Sequence, residues 1–167
     1  MEIYRVTKDS PVWQKKGYDY VRIDAFCFGQ NIPVEKEFGH DAPEEELNAI
    51  LIVENHKPIA GLRLEFPKPG IGKIGRVCVV REKQKSGVGS VMIKAAEEWL
   101  AELGISHIVI SSQDRALGFY QKNGYVLNEE VTPDVYENHP RPRKEFNQDP
   151  SFKRDFVCVL VEKYLNA

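Results

Sequence analysis

Val77-Cys78-Val79-Val80-Arg81-Glu82-Lys83-Gln84-Lys85-Ser86-Gly87-Val88-Gly89-Ser90-Val91-Met92 runs from a valine-rich strand through a polar turn into the start of a helix. Beyond it Val88, Val91, Met92, Ala95, Ala96, Trp99, Leu100 and Leu103 recur at spacings of three and four, the period of an amphipathic helix. Gly104 stands where a helix-terminating glycine belongs. Gly87 and Gly89 let the backbone come close to a ligand, and the first amides of a helix have no intrahelical acceptors, so this junction suits an anion. Lys83, Lys85 and the hydroxyls of Ser86 and Ser90 could add donors around a pyrophosphate. Taken alone, the same letters also suit a simple tight turn. The Walker pattern requires glycines five apart followed by Lys and Ser or Thr, and the dinucleotide fingerprint requires a third glycine where Met92 stands; neither fits.

Upstream, Ile50–Val53 and Ile59–Phe66 are apolar or alternating runs separated by the turn formers Glu54-Asn55-His56-Lys57-Pro58, a hairpin pattern. A Pro/Gly-rich turn, Pro67–Gly72, leads to a third strand, Ile74–Val80. Tyr18–Phe28 is expected as a helix with Val21, Ala25 and Phe28 on one face. Downstream, Ile105–Ser112 reads as a largely buried strand. A second helix should start at Asp114 as N-cap, carry Ala116, Leu117, Phe119 and Tyr120 as its apolar surface, and stop at Asn123-Gly124. Tyr125–Val131 and Phe156–Tyr164 are two further strands, separated by the proline-bearing stretch Thr132–Lys153, which is expected to be a long excursion able to shape a binding site. The fold class is α/β with a mixed sheet: antiparallel strands, then helix-strand-helix, then a C-terminal strand pair. Residues 1–167 are expected to form one domain.

Lys and Arg number 23 against 25 Asp and Glu, which leaves no broad basic field for nucleic acid. The N-terminal segment Met1-Glu2-Ile3-Tyr4-Arg5 mixes charge with apolar residues and has no signal-peptide or membrane-spanning stretch, so a cytoplasmic protein with neither a nucleic-acid nor a membrane partner is expected. Cys27, Cys78 and Cys158 are widely spaced, without a paired motif or a nearby His, so neither a metal site nor a disulfide framework is expected. Cys78 and Cys158 lie among valines and read as small core hydrophobes.

Val77-Cys78-Val79, followed by Gln84-x-x-Gly87-x-Gly89 and an amphipathic helix, resembles the acetyl-CoA-binding core of the GNAT superfamily with its Q/R-x-x-G-x-G/A signature. Gln113-Asp114-Arg115-Ala116-Leu117-Gly118-Phe119-Tyr120-Gln121-Lys122-Asn123-Gly124-Tyr125 is similar to the second landmark of that family, N-x-x-A-x-x-F-Y-x-K-x-G-F. Phe26-Cys27-Phe28-Gly29-Gln30-Asn31-Ile32-Pro33 resembles the V-F-x-x-E-Q-x-I-P signature of the ElaA-like branch of small bacterial GNAT proteins. The chain departs from these patterns at Gly29, where the branch has Glu, at Gly75, where a strand Glu is common, and at Gln113, where Asn is commoner.

The resemblance implies an N-acetyltransferase that moves an acetyl group from acetyl-CoA to a primary amine of a small molecule or peptide. Backbone groups of Val77, Cys78 and Val79 would pair with the pantetheine arm, one strand amide would polarise the thioester carbonyl, and Gln84, Lys85, Ser86, Gly87, Val88, Gly89 and Ser90 would hold the pyrophosphate. Tyr120 corresponds to the family tyrosine that protonates the departing CoA thiolate, against the alternative of a packing tyrosine. Gln113 would bond the cofactor or cap a helix, and Arg22 and Gln30 would face the acceptor or serve as polar packing residues. No base stands out among Glu37, His40, Glu65, His107 and Asp134; His107 also suits a core histidine, and a water chain could serve instead. Glu44-Glu45-Glu46 reads as a solvated helix start. A homodimer stays open, and the competing functions are a catalytically silent CoA-binding module and an interaction protein that uses the Thr132–Lys153 loop.

Overall fold

The computed structural model describes residues 1–39, 41–137 and 156–165. Its first strand, β1 (Glu2–Thr7), gives almost no sign of itself in the sequence because only Val6 is fully buried. It is held by an antiparallel ladder to β2 (Asn48–Glu54), in register from Glu2 opposite Val53 to Thr7 opposite Asn48. Between them come α1 (Val12–Arg22), a π-helical turn over Ile23–Phe28 and the short helix α2 (Val34–Phe38). The expected helix over Tyr18–Phe28 therefore exists but starts earlier. Its predicted face fails at Phe28, which is 64% exposed, whereas Phe26 is buried beside Ala25. A π-helix bonds i to i+5, so each turn is wider than in an α-helix and the residues that follow rotate off the expected stripe.

β2 and β3 (Lys57–Lys68) form the expected hairpin, with Glu54 opposite Lys57. Asn55 and His56 carry it at φ 51° and 64°, the pair of left-handed residues that a two-residue hairpin turn requires. Strand β4 (Ile71–Val79) follows, then α3 (Val88–Glu102), which Gly104 ends at φ 80°. Val88, Met92, Ile93, Ala96, Trp99 and Leu100 are buried, while Val91 and Leu103, counted in the sequence stripe, are exposed.

The remaining elements are β5 (His107–Gln113), a 3₁₀ turn over Asp114–Ala116, α4 (Leu117–Lys122), β6 (Val126–Asn128), a 3₁₀ turn over Pro133–Tyr136 and β7 (Cys158–Tyr164). Asp114 is not an N-cap: it opens the 3₁₀ turn, and its carboxylate accepts the backbone N–H of Arg115. The strand expected over Tyr125–Val131 shrinks to three residues, since β6 pairs with β7 only from Val126 to Asn128. Most of the expected Thr132–Lys153 excursion lies outside the described residues.

The strands follow the order β1-β2-β3-β4-β5-β7-β6 in a seven-stranded mixed sheet. Its parallel step joins Ile71–Ile74 of β4 to His107–Ile110 of β5. The chain divides into two compact units, Met1–Leu64 with Gly75–Trp99, and Glu65–Ile74 with Leu100–Ala167. In the first, Ile50, Leu51, Ile52, Ala60, Leu62 and Val21 are wholly buried; in the second, Ile74, Ile108, Val109 and Val161 are.

Gly72, on β4, has no room for a side chain. A Cβ there would stand 2.7 Å from Cδ2 of Leu100, which is wholly buried. Gly72→Val should therefore destabilise the protein by about 1–3 kcal/mol in urea unfolding. An unchanged midpoint would mean that Leu100 repacks without cost.

Candidate active site

In the first unit, β4 leads into a turn that is anchored from three sides. Val80 N–H donates to the Ile59 carbonyl at 2.9 Å, which fixes the end of the strand. In the following 3₁₀ turn, Arg81–Lys83, the Arg81 amide donates to the Asp24 carboxylate at 2.8 Å and its guanidinium pairs with the same group. Lys83 Nζ pairs with Glu54 at 2.7 Å, which ties the turn to the β2–β3 hairpin. Gln84 Nε2 reaches back to the Val79 carbonyl at 3.2 Å, and Ser86 Oγ donates to the Lys83 carbonyl at 2.5 Å.

Within this frame Lys85 takes φ 64° and Gly87 φ 88°. A lysine in the left-handed region costs about 1–2 kcal/mol and persists only where its surroundings hold it. The chain then enters α3, where Val91 N–H bonds to the Gly87 carbonyl at 3.4 Å. A backbone that winds through two left-handed residues into a helix start is a concave set of amides suited to a phosphate. Lys85, Ser86 and Gly87 are exposed, Gly89 and Ser90 half-buried, and Val88 buried as the first anchor of α3.

Val77 and Val79 are half-buried on β4, and Cys78 is buried, its thiol donating to the Gly61 carbonyl at 3.4 Å. Burial first, and the charge of Glu37 second, push the Cys78 thiol up to about 12, so it stays protonated and packs as a core residue. Cys158 is only half-buried.

Arg22 is 1% exposed. Its Nε donates to Glu37 Oε2 at 2.8 Å, Nη2 to the Glu37 carbonyl at 2.9 Å and to Asp41 Oδ1 at 2.8 Å, and Nη1 to Asp41 Oδ2 at 2.8 Å. The guanidinium lies over the Phe38 ring at 4.3 Å. Arg63 adds a contact to Asp41 at 2.9 Å, and Arg76 stands 3.3 Å from Glu37 Oε1. Gln30 is half-buried, its backbone N–H donating to the Phe26 carbonyl at 3.1 Å.

In the second unit, Gln113 ends β5 opposite Cys158, and its Oε1 accepts from Arg115 Nε at 2.7 Å; it makes no side-chain cap bond. Tyr120 on α4 is 6% exposed, with Phe119 and Tyr125 edge-on to its ring at 5.1 and 6.1 Å. Phe119, read as core, is the more exposed of the two. His107 is half-buried rather than core, stacked on Tyr164 at 4.3 Å with Nε2 3.2 Å from Glu162. Of the other candidate bases, Glu37 is wholly buried, Glu65 half-buried and Asp134 exposed, while His40 lies outside the described residues.

A family model described as the acetyltransferase (GNAT) family matches residues 5–125. The chain belongs to the GNAT acetyltransferase family. An uncharacterized N-acetyltransferase of Bacillus subtilis, YjcF, is 35% identical over 133 residues, covering 79% of this chain and 93% of that protein. Escherichia coli ElaA shares the fold with a TM-score of 0.70 at 20% identity over 97% of this chain and 98% of its own. The catalytic domain of the Tetrahymena GCN5 histone acetyltransferase, in complex with coenzyme A, does so with a TM-score of 0.64 at 16% identity, over 99% and 93%.

Sequence reading of this GNAT chain missed Asp24, Asp41, Arg63 and Arg76. Only packing reveals them, because their partners lie 19 to 57 residues away along the chain. No group of three or more His, Cys, Asp or Glu side chains that could hold a metal occurs among the described residues. No helix among them is long and apolar enough to cross a membrane.

The Arg22 cluster leads us to expect an acid sensitivity. Burial opposes the charge of Asp41, but the hydrogen bonds from Arg22 and the charges of Arg22, Arg63 and Arg76 outweigh it and hold this carboxyl below its ordinary value of 3.8. A depressed native value means that the stabilisation is complete above the unfolded value and is lost as pH falls through the native one. Stability should thus decline as pH drops below about 4, and Asp41→Asn, less stable near neutrality, should lose that part of the decline. Parallel urea-midpoint curves for the two proteins would assign the acid sensitivity to other groups.

Proposed function

We propose that this chain transfers an acetyl group from acetyl-CoA to a primary amine of a small molecule or peptide, by direct transfer and within a single catalytic domain. The observation that carries the reading is the anchored left-handed turn through Lys85 and Gly87 into α3, a set of backbone amides at a helix start suited to a pyrophosphate. It fits the CoA group: the exposed residues Lys85 to Gly87 leave the approach open, and Gln84 tightens the turn against β4. The parallel register of β4 covers Ile71–Ile74, and Val77–Val79 lie outside it, in keeping with a strand segment whose backbone serves the pantetheine arm.

The chemistry is a substitution at the thioester carbon. The amine nitrogen attacks, the carbonyl electrons move to oxygen where a β4 amide receives them, and their return expels sulfur as the C–S bond breaks. Holding thioester and amine together removes the entropy cost of an encounter in solution. The ammonium proton leaves through a base or water, and the departing thiolate takes a proton from Tyr120, the role that the family resemblance gives this residue. Gln113, with Arg115 fixed on its Oε1, supports the segment that leads to α4.

Acetyl-CoA should raise the melting temperature by mass action. Gly89→Val should weaken that shift with little loss of fold, because Gly89 is not among the left-handed glycines and a side chain is tolerated in a helical turn. Equal binding by the variant would reduce the turn to a structural feature, and CoA binding without thiol release across a broad amine screen would indicate a silent module.

Tyr120→Phe keeps the ring between Phe119 and Tyr125 and removes only the hydroxyl. Turnover should fall by roughly ten- to a thousandfold with acetyl-CoA affinity nearly unchanged. Undiminished turnover, with chemistry shown to limit the rate, would sink the acid assignment. Loss of thermal stability instead would make the hydroxyl a structural partner.

A further inference from the structure

The ion cluster of the first unit is paired everywhere except at one edge. Arg22 directs four N–H donors onto Glu37 and Asp41, and Arg63 is bound to Asp41. Arg76 differs. A guanidinium carries five N–H donors, yet among the described residues that of Arg76 makes only an ion pair, at 3.3 Å to Glu37 Oε1, outside hydrogen-bond geometry. Glu37 Oε1 in turn is buried without a hydrogen-bond partner. The Arg76 side chain is 22% exposed while Glu37 is 0% exposed, so the open donors are on the arginine side.

The backbone singles out the same residue. Arg76 sits at φ 50°, a left-handed position for a long side chain in the middle of β4. Such strain concentrates at ligand-binding positions, where the surrounding structure maintains it. Its neighbour is Val77, the first residue given to the pantetheine arm, so Arg76 is one peptide, about 3.8 Å between Cα atoms, from the strand segment that would carry the thioester. The charge balance agrees in sign: three guanidiniums, of Arg22, Arg63 and Arg76, meet the carboxylates of Glu37 and Asp41. Asp19, whose carboxyl burial pushes up while Arg22 pulls it down, forms an ion pair with none of the three among the described residues.

We propose that Arg76 is the acceptor-recognition residue, its guanidinium binding an anionic group, carboxylate or phosphate, carried by the amine substrate. This rests on the acetyltransferase reading and narrows its acceptor to amines that bear such a group. Glu37 holds one side of the guanidinium against α2, and the remaining donors form the planar fork that matches two oxygens of a carboxylate or phosphate. The cation serves the reaction as well: it offsets the anion of the acceptor without attracting its ammonium, so the nitrogen is left to lose its proton and attack.

The test compares amines that differ only in the anionic group, lysine with cadaverine and phosphoethanolamine with ethanolamine, titrated onto the CoA-saturated protein by calorimetry. In the wild type, the anionic member of at least one pair should bind ten times more tightly or better, and the pair that responds tells carboxylate from phosphate. Arg76→Gln should bring that ratio close to one with CoA affinity unchanged, and Arg76→Lys should retain part of it, since charge remains and the fork is lost. Equal binding within both pairs, no binding of any of the four, or an unchanged ratio in Arg76→Gln overturns the proposal. Should the glutamine variant unfold, the lysine variant decides: a ratio equal to the wild type overturns it. Failure of the protein to bind CoA would sink the acetyltransferase reading instead, and the same titrations on the CoA-free protein then decide the role of Arg76.

Discussion

A guanidinium that cannot shed its proton sits in the core of the first unit, and the segments around it are arranged to answer it. Arg22 at the end of α1 is 1% exposed, a position that would cost several kcal/mol if its donors were unmet. The acceptors come from Glu37 on α2 and from Asp41 just beyond it. A five-residue helix has almost no stability of its own, so α2 depends on this pairing and on Phe38 beneath the guanidinium. The same carboxylates then receive Arg63 from β3 and Arg76 from β4. One buried charge thereby links two helices with two strands, and removing either partner would leave the other charge uncompensated.

The turn after β4 follows a related logic with exposed parts. Its left-handed residues are costly, and the cost is offset by bonds from outside the turn: Asp24 to Arg81, Glu54 to Lys83, Gln84 to Val79. Asp24 belongs to the π-helical turn that follows Arg22, so the segment leading from Arg22 toward α2 also anchors the turn before α3. A cradle fixed in advance loses little freedom when an anion arrives, which is how rigid backbone sites combine affinity with exposure.

Three features were legible in the sequence because they are local. The hairpin could be read from Glu54-Asn55-His56-Lys57, helix α3 from its apolar spacing, and the strand-turn-helix junction from Gln84, Gly87 and Gly89. Each rests on backbone preferences that a few neighbouring residues decide. The failures share a cause as well. β1 has a single fully buried residue and is a strand because β2 offers it a ladder, and Phe28 leaves the predicted face because the helix widens to an i to i+5 pattern within six residues.

The sequence by itself determined the family, which resides in short motifs with fixed spacing, and those motifs also supply the segment proposed to hold the cofactor. Tertiary structure alone decided the partners of the charges. Arg22 read either as facing an acceptor or as a polar packing residue, and the fold surrounds it with carboxylates 15 and 19 residues away; Arg76 carried no signal at all, and among the described residues its guanidinium makes only an ion pair, to a buried oxygen that has no hydrogen-bond partner. A charge has no preferred sequence distance to its partner. Only the packing that excludes water determines which pairs must form and which group is left able to bind something else.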